Sequence, residues 1–149
     1  MTSITRKAPS AARIVLGLVF FVFGLNGFLH VIPQPPPSGA MATYFTGLVA
    51  SGYFIPFLKG TEVAMGIALL SNRFVPLALT ILAPIVLNIF AVHAFMAPAG
   101  LPLAVVVLAL ELYLAWAYRD SYALVVRARV SPKAQQAESA PIGAPQPAR

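Results

Sequence analysis

Residues 54–71, FIPFLKGTEVAMGIALLS, form an apolar run that carries Lys59 and Glu62 inside it. An α-helix rises about 1.5 Å per residue and the hydrocarbon of a bilayer is about 30 Å thick, so a segment of this length is just able to span. Ionisable side chains at such a depth are expensive. They are functional-site candidates by default, and their partners must come from elsewhere in the chain. Of the 149 residues, 59% are hydrophobic and only 9% charged, against roughly 25% charged in soluble domains. The chain therefore reads as an all-α integral membrane protein held in a lipid bilayer.

The neighbouring segments fit that class. Residues 14–32 are uncharged and follow Arg6, Lys7 and Arg13. A cleaved signal peptide is the alternative here, with Ala40-Met41-Ala42 as its cleavage site, but signal h-regions run about 7–15 residues and this run is longer. The stretch 33–39, PQPPPSG, cannot continue a helix, because proline lacks the N–H and clashes with the preceding turn. It is expected as a stiff external loop. Residues 40–51 are too short to span, yet Met41, Tyr44, Leu48 and Ser51 fall at helical spacing, with Gly52 placed to end the helix. A turn at Ser71-Asn72-Arg73 leads to residues 74–96, where Pro84 frees the carbonyl of Thr80. Residues 101–118 follow, with Glu111 at their centre.

The expected fold is a four-transmembrane-helix bundle within residues 14–125, its spans at about 14–32, 54–71, 74–96 and 101–118. A short interfacial helix lies between helices 1 and 2, capping the bundle mouth. Residues 1–13 are a cytoplasmic lead, and residues 126–149 hold too few large apolar side chains to fold and read as a basic, disordered tail. Apart from Lys59, each Lys and Arg lies before the first span, between the second and third, or after the fourth. Under the positive-inside rule both termini are cytoplasmic, in a cell membrane such as the bacterial inner membrane.

Depth along the spans brings the polar residues together. Measured from the outer ends, Asn26 lies about 9 Å deep, Glu62 and Asn88 about 12 Å and Glu111 about 15 Å, with His30, Lys59 and His93 nearer the surface. All are expected to face one another in the outer half of the bundle, because lipid-facing positions would not tolerate them. Asn26 and His30, four residues apart, serve equally well as interhelical glue among Gly17, Gly24 and Gly27. Lys59 and Glu62 either neutralise one another or let Lys59 snorkel outward. Glu111, with Ala104, Leu108 and Ala115 on its face, is either a neutral acid or paired across helices. Asn88 and His93 stand about 140° apart on an ideal helix and share a face only with help from Pro84.

Other chemistries are weakly served. With no cysteine there is no disulfide, thiolate ligand or covalently held haem. No Glu is followed three residues on by a His, as di-iron bundles require, so no metal is assigned. The net charge of +6 is not gathered into a nucleic-acid surface with aromatic or polar readers, and no nucleic acid partner is expected.

The glycines and His30 of the first span, Glu62-Val-Ala-Met-Gly66 in the second, Pro84-Ile-Val-Leu-Asn88-Ile89-Phe-Ala-Val-His93 in the third and Tyr118-Arg119 closing the fourth carry a resemblance. Over about residues 13–122 the chain resembles the DoxX family of small membrane proteins. The resemblance implies a four-helix bundle and a role as the small membrane subunit of a quinone-linked redox complex, an oxidoreductase acting with a partner subunit. In that reading His30 or His93 donates to a quinone carbonyl, Glu62 or Glu111 passes the proton, and Lys59, Asn26 and Asn88 complete the pocket. The alternative is a non-catalytic assembly subunit or homo-oligomer whose polar layer only locks packing. A proton-coupled transporter is a third class, needing a dimer for alternating access.

Overall fold

Backbone N–H and C=O groups in hydrocarbon have no water to bond, and a helix satisfies them within its own segment. The computed structural model describes residues 3–122, with side chains from Lys7 onward. The calls on the tail, residues 126–149, lie outside them. The elements are α1 (Ser3–Leu29), α2 (Gly39–Ala50), α3 (Phe54–Leu70), α4 (Val75–Phe95) and α5 (Leu101–Ala117), with 3-10 turns at Pro98–Gly100 and Arg119–Tyr122. No strand occurs among the described residues.

Among the described residues, three stretches are long and apolar enough to cross a membrane: Lys7–Leu29, Val75–Phe95 and Pro98–Ala117. A fourth crossing arises only if α2 and α3 count as one span, and these two meet at 92°. Most boundaries fall within a residue or two of expectation, but α1 differs at both ends. It begins at Ser3 rather than 14 and continues through Pro9. It stops at Leu29 rather than 32. There His30 takes the left-handed conformation at φ 53, and the Asn26 side chain grips the backbone of Ile32 at 2.7 and 3.0 Å.

The other helix ends follow capping chemistry. Gly52, at φ 73 just past α2, occupies the left-handed position that favours glycine, and its N–H reaches Val49 O at 3.0 Å. At the end of α3, Asn72 N–H bonds Leu69 O at 3.2 Å and Arg73 N–H bonds Ala68 O at 3.0 Å. This is the paired closure of a Schellman turn, with Asn72 left-handed at φ 57. Pro84 leaves α4 a continuous helix.

α1 packs on α3 and on α5, and α4 packs on the same two helices. The α1–α3 contact is antiparallel and very close. A Cβ added at Gly17 would meet Leu69 and Leu70, and one at Gly24 would meet Glu62 and Val63. One at Gly66 would stand 2.7 Å from the backbone of Phe21. Small residues at these points allow the backbones to approach, the means by which helices associate where lipid tails are as apolar as leucine. The core lies at the end of the molecule where α1 begins and α3 ends. Leu16, Phe20, Leu69, Leu79, Leu82, Val107 and Leu114 are buried there, whereas α2 buries no residue at all.

Gly66→Ala is therefore expected to destabilise the protein by about 1–3 kcal/mol, because the new methyl forces two backbones apart. Gly47→Ala in α2, where an added Cβ meets nothing within 4 Å, should instead be neutral or stabilise by about 0.4–1 kcal/mol through lost unfolded-state entropy. Thermal melting of both variants in detergent checks the pair, and equal melting temperatures would contradict the close contact.

Candidate functional site

Three charged side chains are buried among the described residues: Arg13, Glu62 and Glu111. They differ in how far they are paired. Glu62 shares the inward face of α3 with Gly66 and Leu69, at i, i+4 and i+7. Its Oε2 lies 2.8 Å from Lys59 Nζ, one turn earlier on the same helix. The aliphatic stem of Lys59 runs over Gly27 of α1, and the Glu62 Cβ sits against Gly24. The ion pair is thus seated on the glycine face of α1, with the Lys59 side chain still 25% exposed. Of the two readings of this pair, mutual neutralisation is the arrangement found.

Glu111 has no such partner. It is 4% exposed on the face of α5 that also carries Ala104, Val107 and Leu114. Val107 and Leu114 replace the expected Leu108 and Ala115 as its most buried companions. Its Oε2 is buried with no hydrogen-bond partner among the described residues. An acceptor left unbonded in apolar surroundings costs about 1–3 kcal/mol. Chemically it is a carboxyl oxygen free to take or give a hydrogen bond.

The remaining expected residues are bonded elsewhere and do not join the two carboxylates in one cluster. Asn26 closes the end of α1 on Ile32. His30 is exposed, with Nδ1 3.1 Å from Phe28 O. His93 closes the end of α4, its Nδ1 3.1 Å from Ala97 O and its ring lying against Gly100. Asn88 is exposed and pairs with Tyr44 of α2, at 3.3 and 3.2 Å. No three His, Cys, Asp or Glu side chains among the described residues come together in a way that could hold a metal ion.

Two contributors escape the sequence reading. Arg13 was assigned to the polar lead, yet its guanidinium is buried and donates to Leu69 O and, at 3.3 Å, to Leu70 O. These are carbonyls of the last turn of α3, which lack helical partners and favour a cation. The signal was present, since Arg13, Leu16, Phe20 and Gly24 follow helical spacing along one face. Tyr44 stands at helical spacing with Met41, Leu48 and Ser51, but spacing does not reveal its partner, Asn88. No protein-family model, curated protein or solved structure matches this chain.

Glu62→Gln is expected to lower stability by about 3 kcal/mol, the lower end for breaking a buried pair because Lys59 can still reach toward water. The double variant Lys59→Met with Glu62→Leu should recover most of the loss, since apolar side chains of similar volume need no desolvated pairing. A melting curve of Glu62→Gln that matches the parent would remove the pair from the list of what holds α3 to α1.

Proposed function

We propose that this chain is a small subunit of a quinone-linked membrane redox complex, similar to the DoxX family. It is built as a four-helix bundle with α2 in the outer interface and both termini in the cytoplasm of a bacterial cell. The distribution of Lys and Arg supports that orientation. It also puts the buried Arg13 and the α3–α4 turn at the cytoplasmic end.

The observation that carries the functional reading is the unpartnered oxygen of Glu111. A protein that has only to pack gains nothing from a carboxyl there, whereas a group that hands on a proton must keep an oxygen free. Reduction of a quinone takes up two electrons, supplied here by the partner subunit, together with two protons. In this reading Glu111 passes the protons, which its buried unbonded oxygen supports, and the Lys59–Glu62 pair supplies a second carboxylate with its countercharge beside it. Nδ1 of His30 lies against Phe28 O and Nδ1 of His93 against Ala97 O, which leaves Nε2 of each ring to donate or accept in this reading.

The assembly-subunit reading keeps one observation in its favour. Asn26, His30 and His93 each tie down the end of their own helix, as packing residues would. Glu111→Leu separates the readings. In the redox reading it should raise stability by about 1–3 kcal/mol, by removing an unbonded buried oxygen, while abolishing quinone-dependent activity of the complex. A variant that keeps full activity would leave assembly as the function. A reporter fused after Arg129 should be active only in the cytoplasm, and an extracytoplasmic signal there would overturn the orientation.

A further inference from the structure

A crevice runs between α3 and α4, apart from both carboxylates. Pro56, Phe57, Gly60, Thr61 and Ala64 of α3 and Ile81 of α4 line it, and it is a widely open depression of about 490 Å3. Its walls are apolar, because the Thr61 hydroxyl turns back to its own helix and donates to Phe57 O at 2.9 Å. At Gly60 an added Cβ would meet nothing within 4 Å, so the space there is open. Pro56, Phe57, Gly60 and Thr61 belong to the half of α3 nearer α2.

Asn88 stands seven residues beyond Ile81 on α4. Seven residues are close to two turns, which places both on one face, about 10 Å apart along the axis. α2 packs on α3, and its Tyr44 reaches across to Asn88 on α4, a pair that stands beside the crevice and not in its lining. Asn88 is exposed in the interior of an apolar α4 long enough to cross a membrane. A primary amide facing hydrocarbon is costly. Tyr44 takes one of its N–H groups and one oxygen lone pair, at 3.2 and 3.3 Å, and the rest of its hydrogen-bonding capacity is unused.

We propose that this crevice is a lateral binding site for an uncharged, single-chain lipid whose head carries a carbonyl group. The chain lies between Gly60 and Ile81 and the head sits on Asn88 and Tyr44. The donors set the class. The phenol O–H of Tyr44 is donated to Asn88 Oδ1, and the second amide N–H of Asn88 is left to suit a neutral carbonyl, whereas a phosphate head calls for Lys or Arg, and neither lines the crevice. Its volume falls within the roughly 300–1,000 Å3 typical of small-molecule sites. A prenylquinone belongs to this class, so the inference deepens the proposed function and rests on it for the position of the crevice inside the bilayer.

The full chain in phosphatidylcholine nanodiscs provides the test. It is photolabelled with a diazirine-bearing decylbenzoquinone and, separately, with a diazirine-bearing phosphatidylcholine, and the sites are mapped by mass spectrometry. The quinone probe should label residues 56–65 and 81–88 saturably. Asn88→Leu should weaken that labelling about ten-fold, the equivalent of one hydrogen bond of about 1.4 kcal/mol. Gly60→Trp should block it, and if that variant fails to fold, Asn88→Leu decides alone. Labelling that is unsaturable, equal for the two probes or indifferent to Asn88→Leu means ordinary boundary lipid and overturns the proposal. If the crevice fails in this way while Glu111→Leu still abolishes activity, the proposed function stands without it. If the crevice labels as expected while Glu111→Leu keeps activity, the lipid site stands and the redox reading falls.

Discussion

The antiparallel contact between α1 and α3 is the constraint on which the rest depends. Gly17, Gly24 and Gly27 on one helix and Gly66 on the other bring the backbones close enough that an added methyl would strike a neighbour. Between helices in lipid there is no hydrophobic drive to association, so close packing and polar contacts must supply it. Both are concentrated along this one seam. Arg13 ties α1 to the last carbonyls of α3 at one end, and the Lys59–Glu62 pair lies over Gly27 and Gly24 at the other.

That seam divides the molecule into unlike halves. Toward the start of α1 the side chains of α1, α3, α4 and α5 interlock in a core of leucine, valine, alanine and phenylalanine. Toward α2 the packing opens, with no buried residue in α2 and a crevice between α3 and α4. Buried packing is thereby concentrated at one end. Glu111 sits on the core face of α5 with an oxygen unbonded, and Arg13 on α1 likewise keeps a buried Nε unbonded.

Much of this was legible in the residues. Helix positions followed from apolar runs and from prolines and glycines at their ends, because backbone chemistry at a helix terminus is local. Gly52 and the Ser71-Asn72-Arg73 turn behaved as their conformational preferences require. The ends of α1 were not legible in the same way. Arg13 looked like a boundary residue because charge usually stays in water, and only the carbonyls of α3 brought alongside made its burial favourable. Leu29 ends the helix because Asn26 reaches forward to Ile32, a choice among bonding partners that spacing does not reveal.

The candidate site divides along the same line. Depth along each helix is a matter of counting, so the sequence alone determined how far along its own span each of Asn26, Lys59, Glu62, Asn88 and Glu111 stands. It also determined that Lys59 and Glu62 are one turn apart and able to pair. Direction around the axis depends on which helix stands beside which, and only the tertiary structure decided it. Glu62 and Glu111 turn inward, Asn88 turns out to meet Tyr44, and His30 and His93 bond to backbone. Rise per residue is a property of the chain, but a side chain's partner is a property of the packing.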